Sequence, residues 1–293
     1  MGTLRFLVAS KLDLYKQYGL KVDLQFFSDP ALVPPGVASG GLDGAMFTYD
    51  QVLGGVAQGF DYKVVMPIDF SNGGDAIVAS TNINSVADFK GKTVGYSRLA
   101  AADYLLQYAL EQNGLSESDI KPVNVDGDNV AGAMASGSME IGVTYQPNVD
   151  RIVSMSGDKF HVVYSSKQAP GLITDVLTFK ASYIAKKPGV VKGVMQGYLA
   201  GLDYMKTHPE ESAKIIADTL GITPEEAKLQ LQDTYNMPLE EMPKSFEKND
   251  STTSFYGSGA IIGRLLLNSK QIKAVPDIAD TLDMAILQEL LPK

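Results

Sequence analysis

The run VASGGLDGAMFTY, Val37 to Tyr49, returns further along the chain as MASGSMEIGVTYQP, Met134 to Pro147. Ala38-Ser39-Gly40 matches Ala135-Ser136-Gly137, an acid follows in each (Asp43 and Glu140), and Thr48-Tyr49 answers Thr144-Tyr145. Internal self-similarity of this kind marks a structural unit used twice, so the fold must hold two copies of one helix-to-strand joint.

The flanking patterns extend the repeat. The first copy reads as a helix through KLDLYKQY, a stop at Gly19-Leu20, a strand KVDLQFF, a polar turn at Ser28-Asp29-Pro30, a helix ending at Ser39-Gly40 and a strand GAMFTY. The second reads as a strand KTVGYS, a helix AADYLLQYALEQN, a stop at Gly114-Leu115, a strand PVNV, a turn at Asp126-Gly127-Asp128, a helix ending at Ser136-Gly137 and a strand EIGVTY. The second copy opens with a strand, Lys92 to Ser97; the first offers only three residues before Leu4, so its opening strand is expected to be missing. Alternating helices and strands predict an α/β sheet with parallel crossovers.

Two breaks bracket the second copy. Ser71-Asn72-Gly73-Gly74 separates the strand ending at Phe70 from one starting at Asp75, and Pro170-Gly171 separates HVVYS from the strand through Asp175-Val176-Leu177. A chain that leaves one lobe and returns by two such links makes two lobes on a two-stranded hinge. The expected division is lobe 1 from 1–73 and 176–293, and lobe 2 from 74–175. Beyond the second break the pattern is helical: a stripe from Pro188 to Thr207, a capping box at Thr223-Pro224-Glu225-Glu226, then Ser254 to Asn268 and Asp277 to Leu290, all expected to clothe lobe 1.

Composition excludes several functions. A formal charge of −9, with Arg5, Arg98, Arg151 and Arg264 as the whole arginine complement, lacks the basic clusters that nucleic acid requires. The absence of cysteine rules out disulfides, thiolate metal sites and cysteine nucleophiles. His161 in a strand-like run and His208 before Pro209 are read as structural or solvent-facing, and YGSGAIIG (Tyr256 to Gly263) has the wrong spacing for a dinucleotide loop. No run approaches the ~20 apolar residues of a membrane span. MGTLRFLVASK lacks the features of a signal peptide, so any export signal is expected to lie outside this sequence.

Chemistry-bearing residues gather at the predicted strand ends: Phe27-Ser28, Thr48-Tyr49-Asp50, Phe70-Ser71-Asn72 and Thr144-Tyr145-Gln146. Carboxyl ends of strands are where open α/β sheets present their ligand crevice. Asp75 and Asp175 each follow a break; they serve either hinge hydrogen bonding or direct contact with a cationic group. Ser97 and Arg98 lie between a strand and a helix starting near Ala100, as an anion site or as a simple helix cap beside a solvated arginine.

Seven segments in order, LDLYKQYGLKVDL, GVASGGLDGAM, DFSNGGDAIVAS, NSVADFKGKTVGY, NGLSESDIKPVNV, GAMASGSMEIGVTYQP and PGLITDVLTF, resemble the substrate-binding proteins of ABC importers, in the nitrate, sulfonate, taurine and thiamine-pyrimidine branch. The resemblance implies a two-lobed periplasmic-binding-protein type II fold closing on a small molecule. It implies a monomeric, non-enzymatic protein without cofactor or metal, periplasmic or held at the cell surface as a lipoprotein, that hands its solute to a membrane permease and ATPase. Contacts would come from Ser28, Thr48, Tyr49, Ser71, Asn72, Gly73, Ser97, Arg98 and Tyr145, with Asp75 and Asp175 as partners of a positive end. The expected solute is a small anion or zwitterion of sulfonate, taurine or nitrate type, with an amine or pyrimidine as the alternative. Fungal thiamine-pyrimidine synthases resemble the same proteins, but their cysteine-rich iron site has no counterpart here.

Overall fold

The computed structural model describes residues 3–27, 32–98, 100–155 and 157–292. Its first half opens with α1 (Thr3–Lys11), whose apolar face buries Leu4, Phe6, Leu7 and Val8, and Asp13 in the left-handed region (φ 56°) then ends regular α-helix. The expected helix through KLDLYKQY is therefore split: its second half, Leu14–Tyr18, is a single 3₁₀ turn closed by Gly19 at φ 71°. There follow α2 (Val33–Ser39), β1 (Gly44–Thr48), α3 (Tyr49–Ala57), β2 (Tyr62–Ser71), β3 (Asp75–Ser80), β4 (Thr93–Tyr96), α4 (Ala101–Gln112), β5 (Lys121–Asn124), α5 (Gly127–Ala135), β6 (Ile141–Tyr145) and α6 (Asn148–Met155). The second half contains β7 (Phe160–Ser165), β8 (Thr174–Lys180), α7 (Ala181–Lys186), α8 (Pro188–Thr207), α9 (Pro209–Leu220), α10 (Pro224–Gln232), β9 (Thr234–Asn236), α11 (Phe255–Asn268) and α12 (Ala285–Leu290).

The strands form two sheets, ordered β1-β8-β2-β9 and β5-β4-β6-β3-β7. The expected parallel pairing holds for β5, β4 and β6, whereas every pairing in the first sheet is antiparallel. β8 is the reason: it returns from the second sheet and enters between β1 and β2, running against both. The expected strand KVDLQFF joins no ladder; residues 20–27 are irregular, although burial alternates over 20–25 as a strand's does.

The chain crosses between the sheets twice, at 72–74 and 166–173. The two links are tied together. Ser71 Oγ lies 2.8 Å from Ser166 Oγ, the Gly73 N–H donates to Ser166 Oγ (2.7 Å), and the Ser71 N–H donates to the Ile173 carbonyl (2.9 Å). Gly171 (φ 81°) passes so close to residues 252–253 that a Cβ there would lie 2.4 Å from the Thr252 carbonyl oxygen.

As the helical stripe predicts, α8 buries Val191, Met195, Tyr198 and Leu202 against Val65, Ile68 and Phe70 of the first sheet. The tail does more than clothe that sheet, however. α11 joins one apolar cluster containing Phe47 and Val52 on one side and Leu105 and Leu106 of α4 on the other. Arg264 on α11 pairs in bidentate fashion with Glu111 on α4, its second contact being 2.8 Å. Among the described residues no helix is long and apolar enough to cross a membrane.

Candidate functional site

Strand ends from both sheets converge on a cavity of about 230 Å3. The first sheet contributes Thr48 at the end of β1, Asp69 and Ser71 near the end of β2, Asp175 at the start of β8, and Thr234 from β9. The second contributes Asp75 at the start of β3, Tyr145 at the end of β6, and Ala101 at the first turn of α4.

Register explains the grouping. Asp175 is paired with Thr48 on one side and Asp69 on the other, so three polar side chains stand in a row on one face of the first sheet. Asp75 is paired with Tyr145, which sets a carboxylate beside an aromatic ring across the cleft.

Among the described residues the lining holds three carboxylates and no lysine, arginine or histidine. One is neutralised from behind: the fully buried Arg5 donates to Asp69 Oδ2 (3.1 Å) and to Thr234 Oγ1 (3.3 Å). Asp75 has no such side-chain hydrogen bond from a cation among the described residues. Burial pushes its carboxyl above the ordinary carboxylate range, against a smaller opposing pull from the Ser71 hydroxyl. Tyr145 is 42% exposed while its hydroxyl donates to Asp128 Oδ1 (2.9 Å), and burial with that nearby carboxylate pushes the phenol up to about 12. The site is thus an acidic crevice with one accessible ring face, suited to a positively charged or N–H-rich group.

The sequence profile described as NMT1/THI5 like matches residues 3–212. The chain belongs to the NMT1/THI5-like family. Among relatives in the family's range, a Brucella abortus protein provisionally named a binding protein is 22% identical over 249 residues, covering 83% of this chain and 76% of that one. A Haemophilus influenzae protein provisionally named for thiamine biosynthesis is 34% identical over 122 residues, 41% of this chain and 38% of that one. The periplasmic aliphatic sulphonate binding protein SsuA of Escherichia coli superposes with a TM-score of 0.78 at 18% identity, over 96% of this chain and 94% of that one. The two-lobed periplasmic-binding-protein fold expected from the seven segments is the fold this NMT1/THI5-like chain adopts.

The residues singled out in the sequence separate into four groups. Thr48, Ser71, Asp75, Tyr145 and Asp175 line the cavity. Asn72 and Gly73 belong to the link itself, where the Asn72 N–H donates to the Asp233 carbonyl (2.9 Å) and Gly73 adopts φ 108°; their neighbour Gly74 lines the cavity instead. Ser28 lies outside the described residues.

Tyr49, Ser97 and Arg98 lie elsewhere. Tyr49 is 1% exposed, packs on Phe255 at 4.8 Å and shares a 2.9 Å hydrogen bond with Thr281. The two copies of Thr-Tyr diverge because α3 starts at Tyr49 and turns its ring into the core, whereas α6 starts only at Asn148, leaving Tyr145 at the cavity. Arg98 is ion-paired with Glu117, and its guanidinium carbon sits 5.9 Å from the Tyr96 ring centre. Ser97 is half-buried outside the lining, so the expected anion site does not assemble around these two.

Asp69 is legible in the sequence as a carboxylate at a strand end but was not chosen as a contact, and Arg5 and Thr234 were not chosen either. A signal existed for the first two, each being a lone charge inside an apolar run, LRFLV and VVMPIDF. None existed for Thr234, which a three-residue strand brings back from the helical tail.

Proposed function

We propose that this protein is the solute-binding component of an ABC importer. It captures a small nitrogenous solute, a protonated amine or an aminopyrimidine, between two lobes formed by 1–73 with 176–293 and by 74–175. The observation that carries the ligand class is the lining: Asp75 and Asp175 face the cavity beside Tyr145 and Thr48, with no cationic side chain among the described lining residues. A sulfonate or nitrate would meet carboxylates where it needs donors, so an anion is disfavoured on charge. The cavity volume of about 230 Å3 suits a solute of roughly one ring, since benzene fills a 150 Å3 cavity.

Family membership and the binding-protein names of the relatives support capture over catalysis, and the chain has no cysteine with which to build an iron site of the synthase type. Delivery to a permease and ATPase, a periplasmic or lipid-anchored location and a monomeric state follow from the same reading. Ligand bridging both lobes would stabilise the closed arrangement by its differential affinity, with the links at 72–74 and 166–173 as the hinge.

A thermal-shift screen tests the ligand class. Primary amines and 4-aminopyrimidines are expected to raise the melting temperature, while taurine, ethanesulfonate and nitrate leave it unchanged. A shift produced by ethanesulfonate or nitrate alone would overturn the charge argument.

A further inference from the structure

The aromatic wall of the cavity is held from behind. Tyr145 closes β6, opposite Asp75 of β3. Its hydroxyl donates to Asp128 Oδ1 at 2.9 Å, and the same oxygen accepts a second hydrogen bond from the Asn148 side-chain amide, also at 2.9 Å. Asn148 is buried at the start of α6, and its amide reaches the Gly127 carbonyl as well, at 3.5 Å. Thr144, buried beside Tyr145 in sequence, donates to that carbonyl at 2.8 Å. Side chains from β6 and α6 thus converge on the first turn of α5, where Gly127 and Asp128 lie.

Contact completes what these hydrogen bonds begin. A Cβ at Gly127 would lie 2.6 Å from Cε1 of the Tyr145 ring, so the ring edge rests on bare main chain and only glycine lets it sit there. The ring is therefore fixed through its backbone in the β3–β6 pair, through its edge at Gly127 and through its hydroxyl at Asp128. Asp128 itself lies outside the cavity lining. Its side chain is not needed to start α5, because Asp126 Oδ1 caps that helix by accepting from the Asp128 N–H at 3.0 Å.

A phenol that donates to a carboxylate gains electron density in its ring, and the negative ring face is what attracts a cation. Burial, then the hydrogen bond to Asp128 and its charge, raises the Tyr145 phenol to about 12, which keeps it a donor at neutral pH. We propose that Asp128 is a positioning residue for the solute: acting through the Tyr145 hydroxyl, it fixes the ring on the cavity wall and enriches the face on which a cationic group rests. Asn148 and Gly127 keep carboxylate and ring in register. The effect on binding rests on the solute being cationic, as proposed for the cavity; the anchoring of the ring does not.

Tyrosine labelled with 13C at Cζ reads the anchor in the empty protein, since donation to a carboxylate moves that carbon downfield; the Tyr145 signal is the one missing from Tyr145→Phe. Asp128→Ala should move it upfield, to the position of a solvated phenol. A signal that stays in place would overturn the proposal, whatever the solute proves to be. Calorimetric titration with benzylamine and with 4-aminopyrimidine reads the consequence. Asp128→Ala should weaken benzylamine binding about three- to tenfold, and Tyr145→Phe by a similar factor. The double variant should bind no more weakly than either single one. Asp128→Asn, which keeps an acceptor without the charge, should recover part of the loss. A further loss when Asp128→Ala is added to Tyr145→Phe would overturn the proposal, because the carboxylate would then act on the solute as a distant charge. Failure of both probes to bind the parent would overturn the cationic reading and with it the effect on binding, leaving the anchor to stand or fall by the carbon signal.

Discussion

Replacing Asp75 with asparagine preserves shape and removes one charge from the cavity. The carboxylate stands opposite Tyr145 in the β3–β6 pair, its backbone N–H held by Ser71 Oγ at 3.1 Å. A charge-assisted hydrogen bond from a protonated nitrogen is worth about 1.5–3 kcal/mol, so Asp75→Asn should weaken binding roughly 10- to 100-fold. The effect on the empty protein has the opposite sign. Because burial raises the folded carboxyl above its ordinary 3.8, the stability this group contributes is complete below that value and is lost as pH rises through the raised one. Asp75→Asn should therefore match the parent in acid and melt higher at neutral pH. Calorimetric titration with the amine or aminopyrimidine giving the largest thermal shift, and melting curves from acid to neutral pH, read the two effects. An affinity that stays the same or improves would refute the reasoning, since improvement is the outcome for an anionic solute relieved of a repelling charge.

Other perturbations follow from the same geometry. Arg5→Met strands Asp69 beside the cavity and should cost about 3–5 kcal/mol in denaturant unfolding; adding Asp69→Leu should recover most of it, and failure to recover would deny that the two charges are coupled. Asp50 on α3 is half-buried at the contact with Tyr104 of α4, and desolvation raises its carboxyl; Asp50→Asn should flatten the loss of stability between pH 3.8 and neutral, read from melting temperatures. Tyr145→Leu removes the ring face and should weaken a cationic ligand by about 0.5–2 kcal/mol in calorimetry, with no loss expected for a ligand that does not stack. Arg98→Ala should leave affinity unchanged, because its charge is already paired with Glu117; a large drop would return Arg98 to the site.

How much of this was legible in the sequence depends on the range of the information. The helix-to-strand joints were readable because their determinants are local: Gly40 and Gly137 take positive φ at the helix ends, and β1 and β6 end at Thr48 and Tyr145 within the repeated Thr-Tyr pairs. The lining residues Thr48, Ser71, Asp75, Tyr145 and Asp175 were readable for the same reason, as strand ends beside breaks. Tyr49 was misplaced because the start of α3, one residue after β1, reverses which way a Thr-Tyr pair can point. Arg98 was misplaced because Glu117, nineteen positions away, captures its guanidinium. The joint acidity of the cavity was not legible: Asp69 and Asp175 become neighbours only when β8 inserts between β1 and β2, and Asp75 comes from the other sheet, a topology with no local signature.

The central claim is that carboxylates in this cavity bind a positively charged or N–H-donating nitrogen. A crystal structure with the best-binding amine or aminopyrimidine tests it most directly. The account predicts a ligand nitrogen within about 2.7–3.2 Å of an Asp75 or Asp175 carboxylate oxygen, with the Tyr145 ring against the solute. An acidic group of the solute in that position, or a ligand bound outside the cavity, would contradict it.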